Sequence, residues 1–298
     1  MLNIIKLIRV RQWVKNLFVF IPAFFAGLLF DPQSILGLIK GFFCFCLVAS
    51  SIYVINDYRD IEADRNHPKK KFRPLAAGTV KVSTALIVMV IFLTAGLILS
   101  YSVNLNFFLI ILLYLAINIG YSLGLKNVSI LDIMVVASGF LLRTVAGGVI
   151  ISVPLSKWLL IMIFLLALFL ALAKRLDDFL ISEKDGRISR KGVKNYNLNF
   201  IYSGITMIAG VIIVSYIMYT ISDEVIERMH TEHLYFTVVF VVAGIMRYLQ
   251  ITLVENQSGS PTRVLFTDKF IYITVAGWII SFFWIIYYNR LWLNFDLH

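Results

Sequence analysis

Long apolar stretches alternate along the chain with short polar connections. Nine stretches reach the roughly 20 residues needed to cross about 30 Å of hydrocarbon. They cover 13–30, 35–56, 82–101, 105–123, 129–152, 155–173, 199–221, 233–254 and 269–289. In lipid only helices and closed barrels satisfy every backbone N–H and C=O, and none of these stretches has the apolar-polar alternation of a barrel strand. The pattern predicts an all-α, polytopic membrane protein with nine transmembrane helices. Lys6, Arg9 and Arg11 ahead of the first stretch resemble the start of a signal peptide, but the apolar part runs past signal length without a small-residue cleavage site. It is therefore expected to stay as the first helix.

Composition agrees: of 298 residues, 60% are hydrophobic and 15% charged, where an ordinary globular chain is about a quarter charged. A water-soluble domain is excluded. Cys44 and Cys46 sit two apart in a helical stretch, on nearly opposite faces, and suit neither a disulfide framework nor a metal knuckle. The net charge of +10 is harder to reconcile with lipid. Its distribution resolves the difficulty. With alternate connections on alternate sides, one side holds Lys6, Arg9, Arg11, Lys15, seven basic residues in 59–81, Lys126, seven in 174–194, Arg263 and Lys269, which is 21 of 27. That side is expected to be cytoplasmic, giving a multi-pass protein of the cell (inner) membrane with its N-terminus inside and its C-terminus outside. Orientation alone does not explain two dense basic loops that also carry carboxylates. No nucleic-acid partner is expected.

The first such loop reads NDYRDIEADRNHPKKKFRPLAAG, residues 56–78. If the preceding helix continues, Asp57, Asp60 and Asp64 fall at i, i+3 and i+7 on one face, and Glu62 points elsewhere. Carboxylates so placed repel one another unless a cation sits among them. Mg²⁺ fits, because it takes one or two carboxylates, keeps water and completes its shell with phosphate oxygens. Asn56 offers an amide at the membrane edge. The competing reading pairs these acids with Arg59, Arg65 and Lys69 to Lys71 on a solvated face; Pro68, Pro74 and Gly78, which stiffen the loop, favour the site. His67 is given no ligand role.

Other polar groups answer this loop. Arg143 lies eleven residues after Asp132, back within about 20° of the same face and about 16 Å deeper, too far for a direct pair. A guanidinium at that depth is expected to face a cavity and meet an anion, with Gly139, Gly147 and Gly148 permitting close approach. Asn118, Tyr121 and Ser122 form a polar stripe, although Tyr121 serves equally as an interfacial anchor. Lys126 follows in a short loop. Lys174, Asp177 and Asp178 share a face at the end of the sixth stretch, preceded in part by Arg175. Lys15 and Asn16 enter the first stretch and suit a diphosphate, whereas Arg9 and Arg11 are expected to anchor on lipid headgroups. Arg247 is expected to snorkel, and His230 and His233 lack a third ligand.

The Asn-Asp-x-x-Asp-x-x-x-Asp run after a second apolar stretch resembles the first Asp-rich motif of the UbiA superfamily of intramembrane prenyltransferases. RVRQWVKN at 9–16, YSLGLKNVSILD at 121–132 and GFLLRTVAGG at 139–148 carry the likeness further. The chain is most similar there to the polyprenyl-phosphate phosphoribosyltransferase branch. Where aromatic prenyltransferases have a second D-x-x-x-D motif, it has Lys174 and Arg175 before adjacent Asp177 and Asp178. The resemblance implies one UbiA-like helical domain over 1–298, with a cytoplasmic-side active site built from the loops at about 57–81 and 174–198. It implies a transferase in which Mg²⁺ on Asp57, Asp60 and Asp64 binds phosphoribosyl pyrophosphate. Lys15, Lys126 and Arg143 would neutralise its diphosphate, and Asn16, Asn56, Tyr121 and Asp178 would line the substrates. Arg73, Lys174 and Arg175 would hold the phosphate of a polyprenyl phosphate acceptor. The alternative within the superfamily is transfer of a prenyl group from a prenyl diphosphate to an aromatic acceptor such as 4-hydroxybenzoate. A transporter is disfavoured, since no second copy of the Asp-rich segment appears.

Overall fold

The computed structural model describes residues 2–67, 70–185, 196–255, 264 and 267–288. Pro68, Lys69, the basic residues of 187–194, Arg263 and Arg290 lie outside them. Every regular element among the described residues is helical. The helices are α1 (Leu2–Leu7), α2 (Ile21–Phe25), α3 (Pro32–Arg59), α4 (Ile61–Arg65), α5 (Val82–Val103), α6 (Leu105–Leu123), α7 (Leu131–Ile150), α8 (Lys157–Asp185), α9 (Leu198–Thr220), α10 (Asp223–Met229), α11 (Val238–Leu253) and α12 (Lys269–Phe283). Contacts gather the chain into two compact units: Met1–Lys126 with Leu142–Pro154, and Asn127–Leu141 with Leu155–His298.

Several helices start where a side chain replaces the missing backbone acceptor. Asp31, Asn104, Asn197 and Asp268 each accept the N–H three residues on, at 2.8, 2.7, 2.7 and 2.9 Å. Such caps stabilise a helix start by about 1 kcal/mol each, and they end the apolar runs at polar residues placed for the membrane edge.

In the first unit α3 packs chiefly on α5. A Cβ at Gly96 of α5 would meet Val48 Cγ2 at 2.8 Å, so the small residue sets the approach. The core collects Val19, Leu38, Phe45, Val48, Phe107 and Ile111. Ile87, Val90, Ile91 and Ile98 of α5 and Leu105, Leu109 and Leu113 of α6 point outward instead. Such a surface suits lipid as its solvent. In the second unit Ile201, Ile205, Ile208, Ile212, Tyr216 and Tyr219 form the buried stripe of α9. The Tyr216 hydroxyl accepts from Trp278 Nε1 at 2.6 Å and bonds Thr237 Oγ1 at 2.6 Å. Those two bonds tie α9 to α12 and to a short 3-10 helix, His233–Thr237.

Eight helical segments among the described residues are long and apolar enough to cross a membrane, and this is a multi-pass membrane protein. Their bounds follow the hydropathy within a few residues, except that α8 runs on to Asp185 where the expected span ends at 173. The first expected span, 13–30, differs: it is a 3-10 helix over Val10–Phe20 followed by the five-residue α2. Pro22 has no N–H to donate to Phe18, which interrupts an α-helical ladder there. The 3-10 geometry, at three residues per turn, lines Trp13, Asn16 and Val19 along one edge. Trp13 Nε1 donates to Ser50 Oγ at 3.1 Å, and Asn16 and Val19 are buried. The Val19 carbonyl lies so close to α7 that a Cβ at Gly147 would be 2.0 Å from it. Rising about 2.0 Å per 3-10 residue and about 1.5 Å per α-residue, Val10–Phe25 extends about 30 Å.

Candidate active site

The acidic run sits where α3 stops. Asp60 is the residue at which the helix breaks (φ −99°, ψ 10°), and α4 restarts at Ile61. This kink divides the expected one-face triad. Asp57 and Asp64 are buried and converge on one guanidinium: Arg73 Nη1 lies 3.1 Å from Asp57 Oδ1 and 2.6 Å from Asp64 Oδ2. Arg9 Nη2 also bonds Asp57 Oδ1. Asp60 turns instead to Lys126, whose Nζ donates to both its oxygens at 2.7 and 2.8 Å. Glu62 is exposed, as its helical position predicts. The His67 ring nitrogen Nδ1 accepts the Lys70 N–H at 3.2 Å, a local turn bond.

Deeper in the same unit Arg143 is buried. Its Nε donates to Asn16 Oδ1 and its Nη2 to the Tyr114 hydroxyl, both at 2.7 Å. Its guanidinium carbon stands 4.7 Å from the Tyr114 ring centre and 5.5 Å from that of Phe45. Asn16 also donates to Cys46 Sγ at 3.1 Å. Asn16, expected on substrate, thus orients Arg143. Lys15 lies within electrostatic reach of both Arg143 and Arg9, so three cations gather in this region. Asn56 and Tyr121 are half-buried. Asn118 and Ser122, the rest of that polar stripe, donate to carbonyls of their own helix, Tyr114 and Asn118, at 2.8 Å each.

The second unit holds a separate cluster. Helix α8 continues well past its apolar part, so Arg175 and Asp178 share a face one turn apart, with Arg175 Nη1 2.8 Å from Asp178 Oδ2. Arg175 is buried, and its Nε donates to Asp132 Oδ2 at 2.5 Å. The Tyr196 hydroxyl donates to Asp132 Oδ1 at 3.0 Å and accepts the Ile130 N–H at 2.7 Å. Ile130 has φ 71°, a left-handed backbone that is unusual for a β-branched residue. Tyr196 supplies the acceptor that holds it. Burial pushes the Tyr196 phenol up to about 12. Next to the expected Lys174–Asp177–Asp178 grouping, Arg175 is the interior cation, and Lys174 is exposed. Elsewhere in this unit Arg247 does not merely snorkel; it bonds Asp268 at 2.6 Å and Glu255 at 2.7 Å.

Arg9, Tyr114, Asp132 and Tyr196 escaped the sequence reading as members of these clusters. Arg9 belongs to the RVRQWVKN run, and Tyr114 precedes Asn118 by one helical turn; those were the signals available. Among the described residues no three His, Cys, Asp or Glu side chains are gathered for a metal. The donor set of Asp57 and Asp64 nevertheless fits a hard divalent cation. Both are carboxylates, Mg²⁺ needs only one or two of them, and a positively charged nitrogen already stands between their oxygens.

The model of the UbiA prenyltransferase family matches residues 17–274. The chain is 33% identical to a decaprenyl-phosphate phosphoribosyltransferase of Mycolicibacterium smegmatis over 93% of this chain and 90% of that one. It is likewise 33% identical to the protein of that name from Corynebacterium glutamicum, covering 93% and 84%. Among solved structures, a UbiA homolog from Archaeoglobus fulgidus bound to GPP and Mg²⁺ superposes with a TM-score of 0.72 at 19% identity, over 95% of this chain and 99% of that one.

Proposed function

This chain belongs to the UbiA prenyltransferase family and is a transferase, and on that premise we propose that it moves a 5-phosphoribosyl group from phosphoribosyl pyrophosphate to a polyprenyl phosphate, releasing pyrophosphate. The observation that carries the reading is the third of its residues shared, over nearly the full length, with decaprenyl-phosphate phosphoribosyltransferases. The second cluster is compatible with it: Arg175, which engages both Asp132 and Asp178, is 4% exposed where Arg73 is 27% exposed, so Asp132 and Asp178 keep a sealed arginine as their cation.

In this reading Asp57 and Asp64, with Asp60 beside them, would hold Mg²⁺, which would supply positive charge against the charge that builds on the leaving pyrophosphate. Lys15, Lys126 and Arg143 add preorganised positive charge around the same oxygens as the C1–O bond breaks. Asn16 and Tyr114 fix the Arg143 guanidinium so that it needs no reorientation. The acceptor's phosphate oxygen is anionic near neutral pH and attacks the anomeric carbon directly, so no general base is required. Exposed Lys174 is assigned to that lipid phosphate, and Arg175 holds Asp178 rather than substrate. We assign the site to the cytoplasmic face of the cell membrane, with nine crossings, the N-terminus inside and the C-terminus outside.

Purified protein with Mg²⁺ is expected to release pyrophosphate from phosphoribosyl pyrophosphate only when decaprenyl phosphate is present, with a lipid-linked phosphoribose as product. Turnover of a prenyl diphosphate with 4-hydroxybenzoate, and none of the first pair, would overturn the proposal in favour of aromatic prenyl transfer.

A further inference from the structure

Asp57 and Asp64 are 2% and 3% exposed, and each already has a cation. Two arginine charges meet two carboxylate charges, so the cluster is balanced without a metal. The cations come from outside the helix that carries Asp57. Arg9 stands before the 3-10 helix in a left-handed backbone, φ 52° and ψ 50°, a conformation that non-glycine residues adopt at a cost. Its guanidinium carbon rests 4.8 Å above the Tyr53 ring, which aims it at Asp57. Arg73 reaches in from the loop after α4. The arginine side chains are 24% and 27% exposed. They form the solvent side of the cluster and the acids its interior.

A divalent cation added beneath both arginines would leave two uncompensated positive charges in a nearly buried place, which is strongly unfavourable. A diphosphate arriving with the metal removes that excess. Its oxygens are also better partners for a guanidinium fork than a carboxylate already shared with a metal. We propose that Arg9 and Arg73 are resident counter-ions: they occupy Asp57 and Asp64 until a diphosphate arrives with its metal, then pass to the phosphate oxygens. The inference rests on the metal assignment of the proposed function, and it makes Arg9 a phosphate ligand in place of a headgroup anchor. Metal and diphosphate binding are then coupled, each tightening the other by the same factor.

The test uses the full-length protein in detergent, Mn²⁺ as the metal, inorganic pyrophosphate as the diphosphate, and the electron paramagnetic resonance of free Mn²⁺ as the readout. Wild type is expected to bind Mn²⁺ about tenfold tighter with pyrophosphate than without, within the usual range of such couplings. Arg9→Gln should bind Mn²⁺ alone about fivefold tighter than wild type, with the pyrophosphate gain reduced to match. Arg9→Lys should restore the coupling, and Arg11→Gln, at an exposed neighbour, should leave it unchanged. Arg73→Gln should move the same way as Arg9→Gln and decides the matter if the latter does not fold. Wild-type Mn²⁺ affinities in both glutamine variants, with and without pyrophosphate, would overturn the counter-ion role alone. Absence of Mn²⁺ binding in every protein, pyrophosphate included, would overturn the metal assignment and this inference with it.

Discussion

Both units hold acids on arginine, yet they differ in which partner faces solvent. In the first, Arg9, Arg73 and Lys126 are about a quarter exposed while Asp57 and Asp64 are buried. In the second, Arg175 and Asp132 are both sealed, at 4% and 2%, with Tyr196 on the remaining Asp132 oxygen. A cation on the solvent side can exchange its carboxylate for a ligand and stay solvated on the way. A sealed pair cannot separate without stranding a buried charge. The first arrangement is suited to exchanging partners, and the second to holding the fold of its own unit.

Arg175→Gln gives that contrast its harshest trial. Leaving Asp132 buried and unpaired should cost about 3–5 kcal/mol, seen as a lowered unfolding midpoint in detergent. A variant as stable as wild type but inactive would move Arg175 into the reaction and erase the contrast. Next in size is Asp60→Asn, expected to lower Mg²⁺-dependent turnover by about 100-fold, or about 2.7 kcal/mol of barrier, with the unfolding midpoint unchanged. Exposed Glu62→Gln should leave both turnover and stability intact; equal losses in the two variants would sink the placement of the site at the α3 end. Tyr196→Phe is the mildest, at about 1 kcal/mol for a hydrogen bond in the sealed cluster. Its phenol titrates at about 12 in the folded protein, above the ordinary value near about 10. The stabilisation is therefore complete below about 10 and fades as pH rises from there through the folded value. The stability gap between wild type and Tyr196→Phe should stay constant from about pH 6 to 9. A gap that changed within that range would mean that another ionising group controls the cluster.

Much of the fold was readable because lipid imposes one simple rule on each long apolar run. The α6 bounds, Leu105–Leu123, coincide with the hydropathy, helped by a capping Asn104. Segment 10–20 was not readable in kind, since α and 3-10 helices bury an apolar edge at similar spacings. In the site, Asp57, Asp64 and Arg73 lie within seventeen residues, yet Arg73, expected on the lipid phosphate, bonds both acids, because the helix breaks at Asp60 where the spacing argument carried it straight on. Arg9 is 48 residues from Asp57 and reaches it through a left-handed backbone that no composition announces. Tyr196 and Asp132, 64 residues apart, share no helix, and periodicity has no means of pairing them. Arg143, expected to face a cavity and meet an anion, is buried with Asn16 and Tyr114 on its guanidinium, and those two come from elements that periodicity does not join to its own.

The 3-10 segment also sets a rule for changing the length of this protein. At three residues per turn, an added or deleted triplet at Val10–Phe20 returns every later side chain to its own edge and shifts it along the axis by about 6 Å. The same change in an α-helical span would swing the contact face by about 60°. The segment that carries Lys15 and Asn16 thus repeats every three residues, in a protein whose eight long apolar helices among the described residues repeat at about 3.6. Grafts between relatives that ignore this difference would turn Asn16 away from Arg143 while leaving the hydropathy profile untouched.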